Sequence, residues 1–505
     1  MNKTAYLFNS TKGLILVAIV MVSVMTVIFG MLSGPMAEWG VKDWIVRWLH
    51  MELKPAERTG RIIMLYHTIA MTIVAIEVYL ITSVVPVKKH QQTNINKVVT
   101  IGYLITIFFG LGFAYWGHNW AFHGLFLVGL SLMFFAGLML VVALNPWSKA
   151  FRVADKAYAH TAKGLDLERM AFFVMAVMTL ISAGFGAVAG SFWGNGHETF
   201  LGEDIIREAD KTALQKAIIG HLHIMLTLIA VAITLIVGRL LDFKGIFHKI
   251  AMCLMIPGTL IIAGGAWSVV WTHRAHTFIY VGSVFVMMAA LFLVIFGWKK
   301  LINDRLKEQN MKRCGFLKQL AALLHDPIKF GTLWQMVFMN FTVSGVGIFM
   351  AVKLDEIFRV WPLLEERITL TGHWHILSAI IATIIIMVYA DMSGLKGKAR
   401  KWFGWLLIIG SDIAFASMTI FSMKRLIVVE TAQKQLVDTT MMLADIGLGT
   451  VLVLMFMLLL WRLFDLFKDN GLWRKETVDQ ELEVNTTTYI PAFSKEDYFS
   501  EGGEK

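Results

Sequence analysis

Long apolar stretches separated by short polar ones run through the whole chain, and only a membrane accommodates them. Runs of about 20 residues, the length of helix that crosses a hydrocarbon core of about 30 Å, fall at 13–33, 60–86, 98–116, 121–145, 167–190, 213–240, 248–271, 275–298, 330–353, 369–392, 401–422 and 440–466. A backbone in hydrocarbon must satisfy its own hydrogen bonds, so the pattern predicts an all-α integral membrane protein with twelve transmembrane helices. The first run is too long for a signal h-region and lacks a convincing cleavage site, so it is expected to stay as a helix. The polar connections are short. Residues 1–470 therefore read as one membrane domain, and 471–505, acidic after Trp473, as a cytoplasmic tail.

Composition agrees: of 505 residues 57% are hydrophobic and only 16% charged, outside the range of ordinary soluble domains. The formal charge of +10 raises nucleic acid as a partner, but its distribution argues for lipid instead. Lys88, Lys89 and Lys97 follow the second run, and Lys149, Arg152, Lys156 and Lys163 the fourth. "KKLINDRLKEQNMKRCGFLK" follows the eighth and "KGKARK" the tenth, so all the basic loops share one side. The opposite loops, such as "GNGHETFLGEDIIREAD" at 194–210, are neutral or acidic. That asymmetry marks the basic side as cytoplasmic and places both termini there. Only Cys253 and Cys314 are present, in no paired motif, so no covalent c-type haem, zinc cluster or iron–sulfur site is expected on this chain.

Topology sorts the fifteen histidines. His90, His160, His248 and His325 fall in or beside cytoplasmic loops and read as solvated. His67 lies near the outer start of helix 2, His118 and His123 between helices 3 and 4, and His221 and His223 on helix 6. His273 and His276 lie at the junction of helices 7 and 8, and His373 and His375 on helix 10. Any one of these is as well explained by snorkelling or a backbone hydrogen bond as by a metal. The set is not, because ionisable groups inside spans are costly, by about 2 kcal/mol or more when charged, and tend to be functional. A neutral imidazole is also the commonest nitrogen ligand for haem iron and copper.

In "TGHWHILSA", 371–379, His373 and His375 stand two residues apart, about 200° around a helix. They cannot chelate one ion from one regular helix, so each addresses its own side. "IIMLYHTIAMTIVAI", "AIIGHLHIMLTLIAVAI" and "TLTGHWHILSAIIATII" open helices 2, 6 and 10 as a weak internal repeat. The chain then divides into three pseudo-repeated arcs of four helices, with His67, His223 and His375 equivalent and His221 equivalent to His373. Three intramembrane carboxylates, Glu77, Asp412 and Asp445, read either as proton or ion paths or as caps on polar packing.

These residues resemble the catalytic subunit of the haem–copper oxidase superfamily, which includes the nitric oxide reductases. "GHWHILS" matches that family's H-x-H on the tenth helix, and "FMNFTVSGVGI", 338–348, is similar to the glycine-containing stretch before it. "VVWTHRAHTFIYVG", 269–282, resembles the segment carrying a histidine pair for the second active-site metal. "GH" at 220–221 matches the remaining ligand, and the 52-residue step from His221 to His273 suits the family. "MKR" puts Lys424 and Arg425 where the family keeps a basic pair for haem propionates; a solvated interface pair explains them equally well.

The resemblance implies two haems, expected to be b-type. His67 and His375 would clamp the low-spin haem, His373 would bind the high-spin one, and His221, His273 and His276 would hold a second metal, iron or copper. The implied activity is a non-pumping terminal reductase of the respiratory chain, acting on a small molecule such as NO or O2 in the cytoplasmic membrane of a prokaryote, with the haems near the outer face. The C-x-x-x-C copper motif is absent, so electrons would come from a c-type cytochrome, as a subunit or soluble, or from a quinol.

Several positions depart from the family pattern. Its adjacent histidines are here separated by Arg274 and Ala275, although an i, i+3 pair still shares one helical face. His223 is additional and a further metal-ligand candidate. Met225 stands where oxygen reductases carry a crosslinked tyrosine and nitric oxide reductases a glutamate. The intramembrane carboxylates match no pumping channel of the family. These departures suit a second reading, a catalytically silent di-haem subunit in which His221 or His223 ligates the haem opposite His373 and electrons pass from quinol to a multihaem cytochrome. A haem-free transporter leaves the H-x-H repeat unexplained.

Overall fold

The computed structural model describes residues 3–33, 35–53, 58–117, 119–192, 213–272, 274–311 and 315–476. Every apolar run forms a helix, and twelve helices are long and apolar enough to cross a membrane. They are α1 (Thr11–Ser33), α2 (Arg58–Val84), α3 (Lys89–Tyr115), α4 (Trp120–Ala143), α5 (Leu167–Phe192) and α6 (Ala213–Leu240). Then come α7 (Ile246–Ser268), α8 (Ala275–Glu308), the composite α9, α10 (Leu363–Met392), α11 (Gly397–Ser422) and α12 (Glu430–Phe467). Among the described residues no strand occurs, only an isolated bridge between His160 and Asp166. The chain is an all-α, multi-pass membrane protein.

Helix α9 is not a regular helix. It runs α-helically over Pro327–Val337, widens into a π-helix over Phe338–Val343 and returns to α over Ser344–Val352. Its start is specified locally: Asp326 caps it by accepting from Lys329 N, and Pro327 fills the first turn, where no N–H partner is needed. The wide turn then coincides with "FMNFTV", the stretch singled out above. There Met339 O accepts the backbone N–H of Ser344, five residues on, and Ser344 Oγ donates to the same carbonyl at 2.9 Å.

Two compact units emerge from the packing. The first comprises residues 1–240, 256–282 and 473–505, and the second 241–255 and 283–472. In the first, α2 packs on α3, α3 on α4, α4 on α5 and α5 on α6, and α6 returns to α2, closing a ring that α1 flanks through α2. The helix ends of this ring are tied by buried cations. Arg169, 1% exposed, donates to the carbonyls of Pro86, Ala143 and Asn145 and lies over the Phe151 ring, so one guanidinium gathers the ends of α2 and α4 at the start of α5. Arg239 at the end of α6 bridges Asp166 at 3.1 Å and Glu168 at 3.0 Å. Asp166 in turn accepts from Glu168 N and Arg169 N, capping α5.

In the second unit α9, α10 and α11 pack on one another and α12 lies along α11. Gly447 permits that last contact: a Cβ there would stand 2.6 Å from Gly410 O and 2.7 Å from Ala414 N, so the two backbones meet without side chains between them. Arg400 holds the base, reaching Asp326 through Nη2 at 2.8 Å and Asp391 at 2.6 Å. His248 corrects the reading of it as solvated: it is 0% exposed, edge-on to Phe243 at 5.1 Å. The turn before α7, with positive φ at Asp242 and Gly245, folds Phe243 back over the helix and covers the imidazole.

Candidate functional site

Of the candidate ligands, His67 lies on α2, His221 on α6 and His373 on α10. His273 and His118 lie outside the described residues.

In the first unit His221 is the most constrained. Its Nδ1 lies 2.7 Å from the carbonyl of Ser182 on α5; a carbonyl only accepts, so Nδ1 carries the proton and Nε2 keeps its lone pair. The ring rests flat on Gly186, where a Cβ would come within 2.5 Å of Cε1 and 2.8 Å of both ring nitrogens. Gly220, one residue earlier, brings α6 against the carbonyl of Ala266 on α7, at 2.9 Å from the position a Cβ would take. Phe185 stacks on Trp267 with centroids 5.8 Å apart. Two buried polar atoms of this neighbourhood, Ser182 Oγ and Trp267 Nε1, have no hydrogen-bond partner among the described residues.

His67 is partly buried, edge-on to Phe126 of α4 with centroids 6.3 Å apart, and within electrostatic reach of His221. His223 is exposed, with Thr227 Oγ1 on its carbonyl, and His276 is partly buried in the first turn of α8 beside the exposed Arg274. His123 lies between the rings of Phe113, at 5.4 Å, and Trp120, at 6.0 Å, an aromatic setting that suits packing better than ligation. Among the described residues no three His, Cys, Asp or Glu side chains form a metal-holding group; His273, one of the expected three, is outside that set.

In the second unit His373 and His375 share α10 and differ in environment: His373 is partly buried and His375 exposed. Gly347 of α9 faces His373, with the Cβ position 3.4 Å from Cδ2 and 3.5 Å from Nε2, so the widened helix brings a glycine to the edge that would carry a metal. Trp374 is edge-on to His373 at 5.6 Å.

The basic pair divides. Lys424 is 5% exposed, ion-paired to Glu365 at the start of α10 and 5.0 Å from the centre of the Phe421 ring. It is neither solvated nor available to a second anion without giving up Glu365. Arg425 lines an open pocket of about 430 Å³ with Trp361, Glu430 and Gln433.

An all-α, multi-pass membrane protein is the class that the fold defines. No protein-family model, curated protein or solved structure matches the chain.

Proposed function

We propose that this protein binds haem in the membrane and works as a terminal reductase of a respiratory chain. The observation that carries the reading is the anchoring of His221. A metal-ligating imidazole donates its second N–H to a carbonyl or carboxylate, which fixes its tautomer and aims the free nitrogen. His221 does this to Ser182 O, and Gly186 leaves the ring a flat seat. The unpartnered Ser182 Oγ and Trp267 Nε1 beside it are polar atoms of the kind a bound group satisfies.

In this reading His373 would hold a high-spin haem, His67 and His375 a low-spin haem, and His221, His273 and His276 a further iron or copper. Bound there, the haems supply one-electron transfer and, with the second metal, the reduction of a molecule such as NO or O2. Arg425 is the cation open to a propionate, while Lys424 orients Glu365. The basic loops face the cytoplasm of a prokaryote, both termini lie on that side, and the histidine end of the bundle faces out, where a c-type cytochrome or a quinol delivers electrons.

A second reading draws on His223, the additional histidine two residues after the anchored His221. His221 or His223 would then share a haem with His373, as in a di-haem conduit without a substrate position. Spectra of the reduced protein with and without CO separate the two. A CO-sensitive haem, together with a non-haem iron or copper in the metal analysis, is expected for the reductase. An unchanged spectrum with haem iron alone would leave only the conduit, and a preparation without haem would remove both.

A further inference from the structure

Asp412 sits inside the bilayer without a counter-ion, in surroundings built for a carboxyl group that changes its protonation. It lies fifteen residues after Gly397 and ten before Ser422, in the middle of α11. Two neutral donors from α9 reach it: Trp334 Nε1–H donates to Oδ2 at 2.8 Å and Gln335 Nε2–H to Oδ1 at 2.9 Å. Gln335 is 0% exposed and gives its other N–H to Ser411 Oγ at 2.9 Å, while Ser411 donates to Ile408 O. Among the described residues Gln335 Oε1 has no hydrogen-bond partner, and the side chains of Gln335 and Asp412 make no further hydrogen bond or ion pair.

On the helices packed against α11, Glu365 pairs with Lys424, Asp391 with Arg400 and Arg462 with Asp465. Lys329 is the cation of the first turn of α9; His373, His375 and Tyr389 lie on α10; Asp438 and Asp445 are exposed on α12. None bonds Asp412, and none acts on it electrostatically. A structural carboxylate at this depth would be paired with a cation, because an isolated charge in an apolar medium is strongly disfavoured.

We infer that Asp412 is an intramembrane proton-binding site whose two states are both served by Gln335. With Asp412 ionised, the amide presents Nε2–H to Oδ1, as observed. When the carboxylate takes up a proton at Oδ1, forming one O–H bond and losing its charge, it becomes a donor and needs an acceptor. A half-turn of the amide about its last torsion brings the unused Oε1 to that place. Oε1 is thus the acceptor of the protonated state, and the same turn withdraws Nε2 from Ser411 Oγ, whose hydroxyl is then free to donate to Oε1. Trp334, a donor only, serves the carbonyl oxygen in both states. The site binds and releases a proton and has no feature that drives it against a gradient.

Infrared difference spectroscopy of the full-length protein in lipid vesicles, between acid and alkaline buffers, tests this. A protonated-carboxyl stretch that appears on acidification and shifts in D2O is expected, lost in Asp412→Asn and retained in Glu77→Gln. Trp334→Phe should keep the band and move it to higher frequency, as loss of a hydrogen bond to the carbonyl requires; an unfolded variant would show no such sharp, displaced band. No titrating band removed by Asp412→Asn, or one abolished by sodium at constant pH, would overturn the inference, the latter in favour of a metal-cation site. Neither result depends on haem, so the proposed function stands or falls separately.

Discussion

His221 and Gly186 show how far one residue controls another. Alanine is a better helix former than glycine by about 1 kcal/mol, so Gly186→Ala should strengthen α5 if backbone propensity alone mattered. Its Cβ would instead meet Cε1 of His221 at 2.5 Å, and the ring must leave Ser182 O. The expected variant unfolds at the same temperature or higher yet loses metal bound through His221, read as metal content per chain beside a thermal melt. Retention of full metal content would show that His221 is a packing residue. Arg239 makes the opposite kind of case, since it is held for stability. Arg239→Ala leaves Asp166 and Glu168 buried without their cation, and breaking such a pair costs about 3 kcal/mol. Arg239→Lys keeps the charge but lacks the fork that spans two carboxylates, so a smaller loss is expected in the same denaturation measurement.

At the scale of elements, the π-helix in α9 carries the most specific consequence. Residues within Phe338–Val343 wind wider than an α-helix, so one residue more fits between the fixed lower part of α9 and Gly347. Inserting one alanine after Val343, just beyond the wide turn, should turn the following residues by about 100°. Gly347 then leaves the edge of His373 and a larger neighbour replaces it. Loss of the absorbance that depends on His373, with the signal that depends on His67 kept, is the expected spectrum. An unaltered spectrum would mean that α9 does not shape that ligand's surroundings. Nothing in "FMNFTV" announces a wide turn, because its residues are ordinary helix formers and the winding is decided by what α10 and α11 demand of it. The resemblance drew attention to the stretch for its glycines and gave no hint of this geometry.

Over the whole molecule, what could be read from the chain follows the physics of each feature. Twelve helices were legible because bilayer thickness fixes the length of an apolar run, and no tertiary contact can override that. What the pattern hides is pairing. Ser182 as the partner of His221, the three carbonyls around Arg169 and the acid that neutralises Lys424 lie on other helices, 39, 83 and 59 residues away in the widest cases. His248 misled because position in a loop does not reveal that Phe243 folds over it.

Orientation is the molecular property that the proposed function most needs, since it sets which side delivers electrons. In the proposed topology twelve crossings return the chain to the side where it began, so the start of α1 and the end of α12 share a compartment and the connection between α5 and α6 faces the other. A phosphatase active only outside the cytoplasm, inserted near residue 200, should therefore be active. The same reporter after residue 476 should be silent there, while a fluorescent protein that matures only in the cytoplasm should be bright. In that topology the starts of α2, α6 and α10, which carry the histidines, are expected on the same side as the connection between α5 and α6. The reverse pattern of reporters would put those ends in the cytoplasm, where an external cytochrome has no access, and would require a cytoplasmic electron donor.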